Sequence, residues 1–155
     1  MNKRIQTALY RATVSTFESM GFLLPTKELD ENQLKAAAEA IVYINFHGPV
    51  SGRLYLRTFG DLLPILTANM MGLMEAPGSS LQQDALGELA NVICGHMVSQ
   101  LADPAAAYQL DSPTFLSVRS PDNQETRPLE AQVQLGVENG RAVVELLISE
   151  GMVTP

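Results

Sequence analysis

Apolar residues recur along this chain with two periods, and the switches between them mark out the elements. From 4 to 22, Ile5, Leu9, Ala12, Thr16 and Met20 follow at steps of three and four, with Ala8, Val14 and Phe17 widening the stripe. That spacing predicts an amphipathic helix, ended by Gly21 and Pro25. Residues 25–38 read as a loop or a short extra helical turn. At 40–47 the period drops to two. Val42, Ile44 and Phe46 share a face, turn formers follow from Gly48 to Gly52, and Leu54 and Leu56 then alternate with Arg53, Tyr55 and Arg57. This is a hairpin with one buried and one wetter face.

Residues 60–73 return to helical spacing, with Asp61 as N-cap, Pro64 in the first turn and Gly72 as the stop. A turn at 75–80 leads into the longest helical pattern, 80–101, closed by Asp103 and Pro104. Strand-like residues 113–119 precede a polar loop at 120–128. Leu129, Ala131, Val133, Leu135 and Val137 then alternate strictly with polar or small neighbours. Asn139-Gly140 is a type I′ turn signal joining this run to 141–149. The predicted order is α-β-β-α-α-β-β-β: an α+β fold, an antiparallel sheet with helices packed on one face. With 155 residues and no linker or repeat, residues 1–155 are expected to form a single domain.

Composition narrows the partners. Ten Lys and Arg against seventeen Asp and Glu leave a net charge of −7. Phosphate-tracking proteins need the opposite sign, which argues against nucleic acid, and an anionic membrane surface repels such a chain. No uncharged apolar run reaches the roughly 18 residues of a membrane span. The basic Met1-Asn2-Lys3-Arg4 start is followed at once by polar residues instead of the apolar stretch of a signal peptide, so a cytoplasmic location is expected. A single cysteine, Cys94, excludes an internal disulfide and fits a reducing compartment.

The helix at 80–101 carries the chemistry. At about 100° per residue, Leu86, Leu89, Ile93, Met97 and Leu101 form its core face. On the other side Asp84, Glu88, Asn91, Gly95 and Ser99 fall within about 60° of Glu88. Polar stripes of this kind are commonly solvated faces, but three features set this one apart. Asn91 is a poor helix former in mid-helix. Gly95 costs roughly 1 kcal/mol against alanine. The helix has no Lys or Arg, so its carboxylates lack i,i+4 partners. These costs mark a docking face, with Gly95 a flat place where another backbone can approach.

Asp84-Ala-Leu-Gly-Glu88-Leu-Ala-Asn91 resembles the D/S-x3-E-x2-N motif of the CheC/CheX/FliY chemotaxis phosphatases, and the CheX-like branch most closely. The likeness extends to Phe17-Glu18-Ser19-Met20, to the hairpin from Ile44 to Leu56, to Asn69-Met70-Met71-Gly72 and to the run from Gly87 to Gly95. The resemblance implies a CheC-like fold and a phosphatase acting on the aspartyl-phosphate of a CheY-type response regulator. It implies that Asn91 orients the attacking water and Glu88 engages the regulator's lysine. Asp84, Gly95 and Ser99 would serve docking. No cofactor is expected on this chain, because Mg²⁺ would sit on the partner regulator. Glu18 is followed three residues later by Gly21, not asparagine, which implies one site. Pro113 lies near, but not at, the family's proline spacing and receives no role. The branch forms homodimers by extending its sheet, which points to 129–137 or the 40–57 hairpin as the edge. A reading of another class is a non-catalytic interaction domain of the same fold, docking a signalling partner through the same helix.

Other candidates are weaker. Cys94 and His96 point about 160° apart on a helix and do not suit one metal ion. Cys94 reads as a small core hydrophobe and His47 as a structural or exposed strand-end residue, while Met70, Met71 and Met74 read either as a sticky patch or, more commonly, as core or second-layer packing. No phosphate-cradling or nucleophile-elbow motif is present.

Overall fold

Asn2 opens the first helix as a side-chain cap, its Oδ1 accepting from the backbone N–H groups of Arg4 at 2.9 Å and Ile5 at 3.2 Å. The computed structural model describes residues 2–75, 77–103, 105–119 and 127–151. Most of the predicted 120–128 loop, Pro104 at the helix close and Ala76 in the 75–80 turn lie outside the described residues. Among the described residues the elements are α1 (Lys3–Gly21), α2 (Glu31–Lys35), β1 (Ala38–His47), β2 (Ser51–Phe59), α3 (Leu62–Met71), α4 (Ser79–Val98), β3 (Gln109–Leu110), β4 (Thr114–Leu116), β5 (Leu129–Val137) and β6 (Gly140–Glu150).

The strands pair antiparallel in the order β3-β1-β2-β6-β5, with β4 also on β1. One face of the sheet carries Val42, Ile44 and Phe46 of β1, Leu54 and Leu56 of β2, Ala131, Val133 and Leu135 of β5, and Val144 and Leu146 of β6. All are buried in one cluster with Leu9 and Phe17 of α1, Leu66 of α3 and Leu86, Leu89 and Ile93 of α4. Each large side chain so enclosed contributes roughly 1.5–3 kcal/mol, and this burial holds α4 flat against β1. The opposite face is the wetter one. There the Arg53 guanidinium stacks 3.7 Å from the Tyr43 ring centre, and Arg57 Nε donates to Glu145 at 2.7 Å.

The α+β class with helices on a sheet face is as expected, but the order gains a helix and a strand, and one turn is shifted. The segment 31–35 is a helix closed by a capping box between Asp30 and Gln33, and its Gln33 side chain packs at the β5–β6 turn instead of on the helical face. A two-residue strand, β3, precedes β4, and the strand expected over 113–119 shrinks to Thr114–Leu116. The β5–β6 turn is centred one residue early, on Glu138 and Asn139, with Glu138 alone at φ 51°. Gly140 is needed elsewhere: a Cβ there would stand 2.0 Å from the Phe59 carbonyl oxygen.

Asp61 stands at the N-cap of α3 but makes no cap bond. The Glu39 carboxylate of β1 caps the helix instead, accepting from the N–H groups of Leu62 at 3.1 Å and Leu63 at 3.1–3.2 Å. Burial holds the Glu39 carboxyl above its ordinary value, against the lowering effect of these bonds.

The expected sheet edges are also corrected. β2 is interior, and β1 is covered by β3 and β4. β5 is terminal, but the Gln6 side-chain amide accepts from Gln132 N–H at 2.9 Å and donates to the Gln132 carbonyl. Thr26 exchanges two backbone bonds with Gly136 at 2.8 Å each. Neither run offers a continuous free edge.

Candidate functional site

Helix α4 forms because its apolar residues repeat at helical spacing and bury Leu86, Leu89, Ala90, Ile93, Cys94 and Met97 against the sheet and α1. Burying that face turns Asp84, Glu88 and Gly95 outward, where all three are exposed, while Asn91 is half-buried. Asp84, Glu88 and Asn91 line one groove of about 390 Å³. Its other wall is the segment that crosses from β3 to β4: Asp111, Ser112, Pro113 and Phe115.

Glycine lets that wall approach. A Cβ on Gly87 would lie 3.2 Å from Phe115 Cζ, 3.2 Å from Pro113 Cγ and 3.3 Å from Pro113 Cβ. Pro113, which received no role from the sequence, therefore packs on Gly87 and lines the same groove as Glu88 and Asn91. The wall is fixed from behind as well. Asp111 N–H donates to the Asn45 carbonyl at 2.9 Å, and the Asp111 carboxylate lies 3.0 Å from His47 Nε2. His47 thus takes the exposed strand-end role expected of it. Sequence reasoning missed this wall. Its only local signal was a second helix glycine, Gly87, one turn before Asn91.

The remaining predicted residues separate. At Gly95 a Cβ would find nothing within 4 Å, so the flat place exists. Ser99 does not share the groove. The helix ends at Val98, and the Ser99 hydroxyl turns back to donate to the His96 carbonyl at 2.8 Å. It lines a second groove of about 340 Å³ between α4 and α1, with Ala8, Arg11, Ala12, Ser15 and His96. Cys94 is fully buried, and burial pushes its thiol up to about 12, so it is an inert core residue, while His96 is exposed. Met70 packs on the core, but Met71 and Met74 are exposed, against the packing expected of them.

Chemically, the first groove presents three carboxylates, the amides of Gln83 and Asn91 and the Ser112 hydroxyl, and none of its lining residues is Lys or Arg. Such a wall accepts hydrogen bonds from a cation or a water.

A family model described as chemotaxis phosphatase CheX matches residues 40–129, more than half of the chain. The chain belongs to the CheX family. The matched span includes the hairpin, α3, α4 and the whole groove wall. Solved CheX structures share the fold. CheX from Vibrio vulnificus superposes with a TM-score of 0.73 at 15% identity, covering 96% of this chain and 100% of that one. CheX from Desulfovibrio desulfuricans gives 0.72 at 17% identity, covering 94% and 99%. The CheX-CheY-BeF3-Mg+2 complex from Borrelia burgdorferi gives 0.67 at 14% identity, covering 93% and 97%. No curated protein matches the chain. Among the described residues, no helix is long and apolar enough to cross a membrane.

Proposed function

We propose that this chain hydrolyses the aspartyl-phosphate of a CheY-type response regulator, through a site built on α4. One observation carries the reading. Glu88 and Asn91, one turn apart, line a single groove with no Lys or Arg among its lining residues. The Asn91 amide oxygen accepts a hydrogen bond from a water and turns that water's lone pair toward phosphorus. An amide is no general base at neutral pH, so its role is orientation. That suffices for phosphoryl transfer, whose loose transition state asks mainly for alignment and charge stabilisation. The water oxygen bonds to phosphorus, the bond from phosphorus to the aspartyl oxygen breaks, and the aspartate leaves as a carboxylate while inorganic phosphate takes the water oxygen and keeps its protons. Glu88 accepts a charge-assisted bond from the regulator's lysine and so seats the phosphoryl group over Asn91. Asp84 adds to docking at the start of the ladder.

The CheY partner in the Borrelia burgdorferi complex supports this choice of substrate. Mg²⁺ belongs to the regulator in this scheme, and this chain holds none. The reading takes residues 1–155 as a single cytoplasmic domain. It also has two copies pairing, and light scattering at working concentration gives the mass that decides the pairing.

The activity test adds catalytic amounts of the chain to a phosphorylated CheY-type receiver with Mg²⁺ and follows free phosphate. Glu88→Ala and Asn91→Ala should unfold cooperatively like the wild type and lose about a hundredfold in rate, the scale of a misplaced reactant. An Asn91→Ala variant with the wild-type rate removes the assigned role. Binding without turnover makes the chain an interaction module instead.

A further inference from the structure

The ladder on α4 has a groove on each flank. Gly87, in the groove walled by Pro113, and His96, in the groove walled by α1, are nine residues apart and so about half a turn from each other around the helix. Glu88 and Gly95 lie on the crest between them. The two grooves differ in charge. The first has Asp84, Glu88 and Asp111 and no Lys or Arg. The second has Arg11 and no carboxylate.

Arg11 is exposed and has no ion-pair partner among the described residues. Neither α3 nor α4 contains a Lys or Arg, so the cations of the three helices around the site come from α1. Arg4, a further α1 cation, donates to the Gln100 carbonyl at 2.8 Å and ties α1 to the end of α4. Ala8, Ala12 and Ser15 are short, and they line the groove together with Arg11 and Ser99.

A phosphorylated aspartate that binds Mg²⁺ is surrounded by further carboxylates, because Mg²⁺ in phosphate sites is held by one or two of them with the phosphate oxygens. The partner's docking face is therefore acidic, and this chain, at −7, meets it with Asp84 and Glu88 on the crest. Glu88 answers the partner's lysine, which leaves the partner's remaining carboxylates beside Asp84 with no cation from the first groove, and Arg11 in the second groove is placed to answer them. We infer that Arg11 is a docking residue, and that the α1–α4 groove receives an acidic side chain of the same receiver whose phosphoryl group lies over Glu88 and Asn91. This rests on the phosphatase reading above. It also gives Ser99 a place in docking, on the second groove.

The test measures phosphate release from a phosphorylated receiver across receiver concentrations for wild type, Arg11→Ala, Arg11→Lys and Arg11→Glu. Arg11→Ala should raise KM about two- to fivefold with kcat held, the range of a solvent-exposed ion pair. Arg11→Lys should stay close to wild type, and Arg11→Glu should raise KM further. The rise of KM with added salt should be shallower in Arg11→Ala than in wild type. Wild-type KM in Arg11→Glu, or a loss confined to kcat, overturns the inference and leaves the phosphatase reading standing. Binding of a receiver loaded with beryllofluoride and Mg²⁺ separates the failures. A wild-type chain that neither binds it nor releases phosphate removes both readings together.

Discussion

Gly87 and Pro113 touch across the groove so closely that a Cβ on the glycine would stand 3.2 Å from the proline ring. Two opposing effects meet there. Alanine at 87 gains roughly 1 kcal/mol of helix propensity and loses a comparable amount to crowding, so Gly87→Ala should shift Tm by only a few degrees. Gly87→Val adds methyl groups against Pro113 and Phe115 with no room for them. It should cost about 1–3 kcal/mol, and by moving the wall beside Asn91 it should slow phosphate release beyond what its stability loss explains. Thermal unfolding and single-turnover release on the same samples check both halves.

Gly95 makes the opposite case. A Cβ there meets nothing, and the residue is exposed in the last turns of α4. Gly95→Ala should therefore raise stability by about 1 kcal/mol, read from urea unfolding. It should also weaken receiver binding, because the flat place on the crest is filled. A variant that is more stable and binds as well as wild type would make Gly95 a packing accident.

Glu39 sets a pH dependence through its cap on α3. Burial raises its folded carboxyl above the unfolded value, so the folded state holds the proton more tightly. The ionised form then subtracts from stability at all pH above that raised value. As pH falls through the folded value toward the unfolded one, the penalty is relieved. Relative to Glu39→Gln, whose amide keeps an acceptor for Leu62 and Leu63, wild type should gain stability on acidification. Paired denaturant titrations from neutral pH downward check the sign, and parallel curves would remove the linkage.

The ladder was legible because helical period sorts one face from another. Asp84, Glu88, Asn91 and Gly95 had to share a side once Leu86, Leu89 and Ile93 were buried. The β5–β6 hairpin was legible for the matching reason at period two. The wall from Asp111 to Phe115 was not, since it approaches α4 from β1's outer side and its contact with Gly87 is long-range. Local pattern also placed Asp61 as a cap, whereas Glu39 arrives from a strand that only the fold brings near. For α2, the Asp30–Gln33 capping box stood in the sequence without an apolar stripe to announce a helix. Ser99 was placed by extending the period past Val98, where the helix stops.

A single glutamine side chain pairs with the outermost strand as a neighbouring strand would, and Thr26 adds a second such contact four residues along. This makes the sheet one-sided as a building block. The opposite flank is made only of the two-residue β3 and the three-residue β4. Filaments built by strand addition need two open edges, and Gln6 and Thr26 interrupt the one at β5.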